Sequence, residues 1–317
     1  MFEDLSPGLS AFCLALGFLL LTGGAELLLR GSVGIARRFG LSDLVIGVTL
    51  VALGTSAPEL FVSVNAALGG EGEIALGNVV GSNICNILLV LGCGALFLPY
   101  IVCRRSHLPQ ALVSLAALLL VLVLAAVDHR LSRLDSMGLL LLLAIWVGLS
   151  LRAGRGAPPV AGHGPPPPVP AAAALALLGL VILWAGSECT VGGTVNLALW
   201  LGLEKRVVAV SVVALGTSLP ELVTTFIAAL RKSPDLALGN VIGSNVFNLL
   251  CILGAAGTAA PLAVAPAAVV DLLLVAGVTL FLLLPLLFCR RIGRLWGGSA
   301  LLAYVAYISF LVLTGRV

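Results

Sequence analysis

The sequence predicts an all-α integral membrane protein of ten transmembrane helices, arranged as two inverted-topology five-helix repeats. Hydrophobic residues make up 60% of the 317-residue chain and charged residues only 10%, with a mean hydropathy of +1.19. Apolar runs of about twenty residues, the length that crosses a bilayer as a helix, follow one another along the chain. The two halves of the chain also repeat one another. These three observations exclude a water-soluble globular domain and favour a polytopic membrane protein.

Ten apolar runs are the candidate spans, five in each half. In the first half they cover 8–29, 41–68, 74–98, 109–127 and 136–152. In the second half they cover 171–197, 204–230, 235–258, 265–288 and 297–315. The segment between the halves is rich in Pro and Gly, a composition that predicts an extended, flexible linker. The predicted organisation is a first repeat at 1–152, a linker at 153–170 and a second repeat at 171–317.

The repeat is visible when the chain is shifted by 162 residues against itself. That shift aligns VALGTSAPEL with VALGTSLPEL, and ALGNVVGSNICN with ALGNVIGSNVFN. From Val51 to Gly92, 24 of 42 aligned positions are identical, far more than shared apolar composition explains. Because five spans is an odd number, the second copy enters the membrane from the opposite side. An inverted repeat of this kind is typical of many secondary transporters.

Lysine and arginine are distributed unevenly over the loops. Twelve fall on one set of alternate loops and five on the other, and the positive-inside rule places the richer set in the cytoplasm. With ten spans, both termini then lie outside the cytoplasm, and the chain is a multi-pass protein of the cell membrane. The net charge of +3 is small and the basic residues are scattered, so nucleic acid is not an expected partner. Membrane lipid is the expected surrounding, and no obligatory protein partner is evident.

Two glutamates, Glu59 and Glu221, interrupt the apolar runs at equivalent positions of the two repeats. A charged side chain at the centre of a membrane helix costs about 2.5 to 3.5 kcal/mol on insertion scales, so each glutamate needs a partner. No Lys or Arg lies near the middle of a predicted span, and the three histidines fall in loops. A bound cation is the natural partner that remains.

Each glutamate follows a proline, Pro58 or Pro220. Proline has no N–H to bond back by four residues, so the carbonyl groups of Gly54 and Gly216 are freed and the helix is loosened just before the glutamate. A threonine precedes each glutamate by one helical turn on the same face. Carbonyl, hydroxyl and carboxylate oxygens together suit hard cations such as Ca2+ and Na+.

The second motif, GNVVGSN..N or GNVIGSN..N, adds hydroxyl and amide groups. Ser82 and Asn86 are spaced i to i+4, as are Ser244 and Asn248, so each pair projects from one helix face. Glycines between them permit close approach of two helices. Small-residue motifs of this kind can also serve only to join helices, but here each half places the motif at the same spacing from a glutamate.

The paired motifs ALGTSAPEL…GNVVGSNICN and ALGTSLPEL…GNVIGSNVFN closely resemble the alpha repeats of the sodium/calcium exchangers, within the cation/calcium exchanger superfamily. The resemblance implies a ten-helix fold in which the second, third, seventh and eighth helices form a chamber of four cation sites. It also implies that the first and sixth helices slide to give alternating access. Transported ions, Ca2+ and Na+, rather than cofactors are expected.

The resemblance also implies particular ligands. A central calcium site uses Glu59, Glu221, Thr55 and Thr217. One flanking sodium site uses the Ala52 carbonyl group with Thr55, Ser56, Glu59 and Ser82. Its inverted twin uses the Ala214 carbonyl group with Thr217, Ser218, Glu221 and Ser244, and Asn86 and Asn248 close the middle. Microbial members of the family often carry Asp at the position of Asn248, and this amide, unlike Asp, cannot titrate.

These features predict an antiporter that exchanges Na+ for Ca2+, because both ions need the same two glutamates and therefore compete. A Ca2+/H+ antiporter using the same glutamates is an alternative, and a passive cation channel is a further one. An enzyme is not expected, because the spans contain no histidine and no Ser/Lys or paired-Asp arrangement. Glu26 and Glu188 also align between the repeats and lie near the ends of their predicted spans, where either a structural role or a role in cation entry fits them.

Overall fold

The computed structural model describes residues 6–97, 100–154, 167–201 and 214–314, which are mostly helical. Twelve helices occur in the described residues, with short π-helical turns inside several of them. They are α1 (Pro7–Phe39), α2 (Asp43–Thr55), α3 (Ala57–Leu68), α4 (Gly72–Phe97), α5 (His107–Asp128), α6 (Arg133–Ala153), α7 (Val169–Trp200), α8 (Ala214–Thr217), α9 (Leu219–Leu230), α10 (Pro234–Ala259), α11 (Pro266–Cys289) and α12 (Arg294–Thr314).

Eight of these helices are long and apolar enough to cross a membrane, and the bent pair α2 and α3 gives up to nine spans in the described residues. The shorter apolar helix α9 is the end of the predicted span 204–230. The beginning of that span, at 204–213, lies outside the described residues. The chain is thus a helical protein with multiple membrane-spanning helices.

Helix α1 is longer than its apolar run predicts. The predicted span ended at 29, but the helix continues to Phe39 and is terminated by Gly40 in a left-handed conformation, φ 62°. The helix extends into a polar segment because Arg37 and Arg38 in its last turn interact favourably with the helix dipole. Glu26 lies near the end of the predicted span, and more than three further helical turns follow it.

Helices α1 and α7 cross with their backbones in contact at glycines. A Cβ atom on Gly24 would lie 2.7 Å from the Leu183 nitrogen and 2.9 Å from the Gly179 oxygen. A Cβ atom on Gly17 would lie 2.9 Å from the Gly186 oxygen. Glycine at these positions therefore allows the two long helices to pack as a closely joined pair.

The predicted loosening before each glutamate is a helix break. Helices α2 and α3 meet at Ser56 with a bend of 48°, and Ser56 has φ −83° and ψ 8°. Ser218 between α8 and α9 has nearly the same backbone, φ −87° and ψ 4°. Both breaks lie two residues before the proline, as expected from its missing N–H. The linear hydropathy of 41–68 predicted one continuous span and did not detect the bend.

Helices α4 and α10 form the centre of the molecule. In the most apolar 18 residues of α10, 94% are buried, and in α4 78% are buried, against 17% in α12. Most of their buried apolar side chains belong to the larger of two hydrophobic clusters. The smaller cluster contains residues of α1, α7 and the second span together with Ala228 and Ala229 at the end of α9. The pair α1 and α7 thus packs on the second span, on the end of α9 and on Leu236 and Ala237 at the start of α10.

Two short antiparallel strand pairs, which the sequence did not predict, join loops of the two halves. Strand β1 (Tyr100–Val102) pairs with β4 (Arg291–Gly293), with Ile101 opposite Ile292. Strand β2 (Arg130–Leu131) pairs with β3 (Leu262–Ala263). Strands of two or three residues are too short to leave a periodic signal in a sequence.

Candidate cation site

The breaks in the two half-helices place the glutamates inside the protein. Glu59 lies in the first turn of α3 and Glu221 in the first turn of α9. The N-terminal end of a helix carries a partial positive charge, which favours a carboxylate in its first turn. The break therefore positions each glutamate and in part stabilises it, without supplying a full counter-charge.

Each glutamate accepts a hydrogen bond from the serine at the other half's break. The Ser56 hydroxyl donates to Glu221 Oε1 at 2.9 Å. The Ser218 hydroxyl donates to Glu59 Oε1 at 3.3 Å. Thr55 lies beside Glu221 and Thr217 beside Glu59. The two GTS.PE motifs, 162 residues apart in the chain, therefore form one site that neither half completes alone.

The site is enclosed and carries an uncompensated charge. Glu59 is 1% exposed and Glu221 is 0% exposed. Within the described part of the chain, neither Glu59 nor Glu221 forms an ion pair with a basic side chain. Two ionised carboxylates in a low-dielectric interior repel each other and lose their hydration, so an external positive charge is needed.

Several buried oxygens at or near the motifs have no hydrogen-bond partner within the described ranges. An unsatisfied buried polar group is costly, and each one needs an explanation such as a bound ion. These atoms include Glu59 Oε2, Glu221 Oε2, Ser82 Oγ, Thr217 Oγ1, Asn83 Oδ1, Asn86 Oδ1 and Asn248 Oδ1. No group of three or more His, Cys, Asp or Glu side chains that could hold a metal occurs among the residues described. Neutral oxygens must therefore supply most of any cation's shell.

The second motif lies against the first, at the centre of α4 and α10. The Ser244 hydroxyl is 3.5 Å from Glu221 Oε1, and Ser82 is 2% exposed. The Asn86 amide donates to Asn245 Oδ1 of the other half at 3.1 Å. Asn86 and Asn248 each begin a π-helical turn, a local widening that is frequent at functional sites.

Sequence reasoning missed the asparagines at the start of the second motif. The Asn240 amide donates to Thr225 Oγ1 at 2.9 Å, and its oxygen accepts from the Thr55 hydroxyl at 3.2 Å. Asn78, its repeat equivalent, donates to Ser63 Oγ at 2.9 Å and to the Glu59 carbonyl oxygen at 3.2 Å. Both asparagines therefore hold the broken helices against α4 and α10. Their identity in the two repeats was the signal that could have found them.

The backbone carbonyl groups do not all behave as expected. The Gly216 carbonyl oxygen, predicted to be free, accepts the Ser187 hydroxyl of α7 at 2.6 Å. The residue equivalent to Ser187 in the first half is Ala25, which has no hydroxyl group. The Ala52 carbonyl oxygen accepts the Ser56 N–H at 3.0 Å. Ala214 is the first residue of the short helix α8, and the structure describes its backbone.

A cavity of about 560 Å³ leads toward the site between α7, α3 and α9. Glu188 and Asn65 are among its lining residues, and Thr217 and Gly216 line it beside the glutamates. Most of its other lining residues are apolar. The cavity thus connects an exposed carboxylate, Glu188, with a threonine that lies against Glu59.

Glu26, the repeat equivalent of Glu188, is in a different environment. It forms ion pairs with Arg30 in its own helix, at 2.6 Å, and with Arg231 at the end of α9. Within the described residues, no basic side chain forms an ion pair with Glu188. The two aligned glutamates are therefore structurally distinct.

A multi-span helical protein whose broken helices bring two buried carboxylates together, without a counter-charge, has the architecture of a secondary ion transporter. Comparison with known proteins defines this class further. The family model described as "Sodium/calcium exchanger protein" matches residues 9–152 and 171–313. The chain belongs to this family.

Individual relatives agree in coverage. The chain is 39% identical over 304 residues to CaxA of Alkalimonas amylolytica, covering 92% of this chain and 95% of that protein. It is 31% identical to the sodium/calcium exchanger MaX1 of Methanosarcina acetivorans, covering 94% of this chain and 96% of that protein. A solved structure of the sodium-calcium exchanger NCX_Mj, soaked with Na+ and Ca2+, matches with a TM-score of 0.83 and 32% identity, covering 95% of this chain and 98% of that chain.

Proposed function

We propose that this protein is a secondary active antiporter that exchanges Na+ for Ca2+ across the cell membrane by alternating access. The observation that carries the proposal is the pair of buried glutamates, Glu59 and Glu221. Each accepts a hydrogen bond from a serine of the opposite half, and neither has a basic partner among the described residues. Family membership and the likeness to sodium-calcium exchangers support the same function.

Charge balance explains why two different ions compete. The two carboxylates carry a charge of minus two, which one Ca2+ neutralises, and Na+ ions can neutralise the same oxygens instead. The empty, doubly charged pair is costly to enclose, so loaded states cross more readily than the empty state. A protein that changes conformation when it holds either ion, but not when its site is empty, performs exchange.

The proposed ligands follow the two motifs. The calcium position takes the two glutamates with Thr55 and Thr217, whose placement beside the carboxylates supports it. The sodium positions take one serine from each motif of a half and one carbonyl group. They are Ala52, Ser56 and Ser82 in the first half and Ala214, Ser218 and Ser244 in the second half. Asn86 and Asn248, whose side-chain oxygens have no partner among the described residues, close the middle.

We also propose ten spans in two inverted repeats, with the repeats at 1–152 and 171–317 and both termini outside the cytoplasm. Two observations support this arrangement. Helix breaks occur at the equivalent Ser56 and Ser218. The strand pairs join the third-to-fourth with the ninth-to-tenth predicted loop, and the fourth-to-fifth with the eighth-to-ninth, and a ten-span topology puts each pair of loops on one side.

The test is 45Ca2+ uptake into proteoliposomes of the purified protein, with the counter-ion gradient imposed in turn as Na+, H+ or K+. We expect uptake only with an outward Na+ gradient. Uptake driven by a proton gradient alone would instead make the protein a Ca2+/H+ antiporter. Conductive Ca2+ entry without any counter-ion gradient would identify a channel, although the near-complete burial of both glutamates favours an enclosed site.

A further inference from the structure

We infer that Arg231 and Glu26 form a latch that fastens the α1–α7 pair to the end of α9 on one face of the membrane and thereby favours the conformation in which the cavity beside Glu188 is open. The inference rests on the proposed exchange function for its physiological meaning. Its structural basis is the ion pair between Glu26 and Arg231, supplemented by Arg30.

The two ends of the latch lie on different helices, α1 and the end of α9, which meet in the smaller hydrophobic cluster at Ala228 and Ala229. Helix α1 is joined to α7 through backbone contacts at glycines and contributes to the smaller hydrophobic cluster. Arg231 directly follows α9, which carries Glu221. An ion pair between α1 and the end of α9 therefore connects the crossing pair with a helix that carries the cation site.

The sequence repeat shows that the latch exists on one side. Glu26 aligns with Glu188, but Arg231 aligns with Gly69 and Arg30 with Gly192. The glutamate is present at both aligned positions, whereas the positions that would hold the two bases around Glu188 are glycines. If the two halves exchange conformations, the end of α3 at Gly69 approaches Glu188 as the end of α9 approaches Glu26 here. No ion pair would then form at that face.

The open cavity agrees with this asymmetry. It lies between α7, α3 and α9 with Glu188 in its wall, on the side where no latch is available. The side with Glu26 and Arg231 is held by the ion pair. The protein is thus biased toward one of two alternating conformations by a charge present in only one repeat.

Arg231→Gln removes the latch, and Lys232→Gln is the matched control because Lys232 is the adjacent exposed cation and forms no ion pair with Glu26. Openness of the cavity is measured as the labelling rate of Val62→Cys, a cavity-lining and 41% exposed position, with a membrane-impermeant maleimide. All variants carry Cys289→Ser, because Cys289 is an exposed native thiol that would also react. The Cys289→Ser protein without Val62→Cys is the parent and gives the background labelling.

Gly69→Arg is the converse test, because it installs a base at the repeat equivalent of Arg231. Gly69 has φ −74° and ψ −4°, close to the φ −74° and ψ 3° of Arg231. An added Cβ would meet only carbonyl oxygens of Asn65 and Ala66 at 3.4 Å. We expect Gly69→Arg to slow Val62→Cys labelling, Gly69→Gln to leave it unchanged, and a further Glu188→Gln to restore the rate.

The effect on ion binding is asymmetric. Since apparent affinity scales with the fraction of protein in the competent state, Arg231→Gln should lower the half-saturating Ca2+ concentration at the Glu26 face about two- to fivefold, a range set by the modest strength of exposed ion pairs. It should also slow Val62→Cys labelling.

Labelling and affinities equal to those of the parent, or equal changes in Lys232→Gln, would overturn the latch. Absence of Ca2+ exchange from every protein would overturn the proposed function, and labelling would still decide the latch.

Discussion

Among single residues, Ser82 and Ser244 offer the clearest separation of the two ions. Both are buried hydroxyls at equivalent positions of the second motif, beside the glutamates rather than between them in the proposed assignment. Ser244 contacts Glu221 Oε1 at 3.5 Å, and Ser82 Oγ has no partner in the described residues. A hydroxyl that serves only a flanking position should affect one ion more than the other.

We expect Ser82→Ala and Ser244→Ala each to raise the Na+ concentration for half-maximal exchange more than that for Ca2+. Loss of one oxygen ligand costs about 1 kcal/mol, which corresponds to roughly a fivefold increase for Na+. The measurement is 45Ca2+ exchange as each ion is varied in turn. Ser114→Ala, at a buried serine of α5, is the control. Equal losses for both ions would remove these serines from the sodium positions.

Asn248 is a residue whose substitution tests which groups of the site bind protons. As an amide it offers an oxygen but cannot titrate, so proton competition must come from the two glutamates. Asn248→Asp adds a third carboxylate near a buried pair, and repulsion between like charges makes the cluster hold an extra proton when cations are scarce. We expect Ca2+ transport by the mutant to be inhibited at a higher pH than in the wild type. Superimposable pH profiles in an active mutant would place Asn248 outside the cation chamber.

The sequence predicted the residues of the candidate site but not how the fold joins them. The motifs identified Glu59 and Glu221 because a buried acid without a base is a strong signal. The contact from Ser56 to Glu221 spans 165 residues, and no local pattern predicts it. The roles of Asn78 and Asn240 also depend on tertiary contacts, since an asparagine in a small-residue motif can equally join helices.

At the scale of helices, the crossing of α1 and α7 depends on individual glycines. Gly24 is buried against the α7 backbone, whereas its neighbour Gly23 is exposed and has nothing within 4 Å of an added Cβ among the described residues. The two positions share a helix and differ only in the face that they present. They therefore form a matched pair for testing the contact.

We expect Gly24→Ala to destabilise the folded protein by roughly 1–3 kcal/mol, because a methyl group would press on the α7 backbone. Gly23→Ala should be neutral or stabilising by up to about 1 kcal/mol, because alanine favours the helix. Thermal unfolding of the purified protein in detergent, followed by loss of the monodisperse species, measures both. Equal behaviour of the two variants would mean that α1 and α7 do not pack through this face.

Helix boundaries and bends were the least predictable elements. Hydropathy located the apolar part of α1 but not its extension to Phe39, because Arg37 and Arg38 are polar and still helical. It also gave one span at 41–68, where the chain bends by 48° at Ser56. The proline at 58 indicated that break correctly, since its effect is local and does not depend on the partner helices.

For the whole molecule, the unequal arginine and lysine counts predict an orientation. We expect a membrane-impermeant maleimide to label Arg130→Cys, an exposed position in β2, in intact cells, with Cys289→Ser as background. Gly164→Cys in the predicted linker should react only after the membrane is permeabilised, because the linker is assigned to the cytoplasm. Labelling of both positions from the same side would contradict the ten-span topology.

The central claim is that one carboxylate from each half is required for exchange. It is tested most directly by Na+-gradient-driven 45Ca2+ uptake into proteoliposomes containing Glu59→Gln or Glu221→Gln, with Glu71→Gln at an exposed position as control. Each mutation leaves Ca2+ under-neutralised in a low-dielectric site, so uptake should fall at least about a hundredfold while the control stays at the wild-type rate. Wild-type uptake by both mutants, inserted at normal levels, would contradict the account.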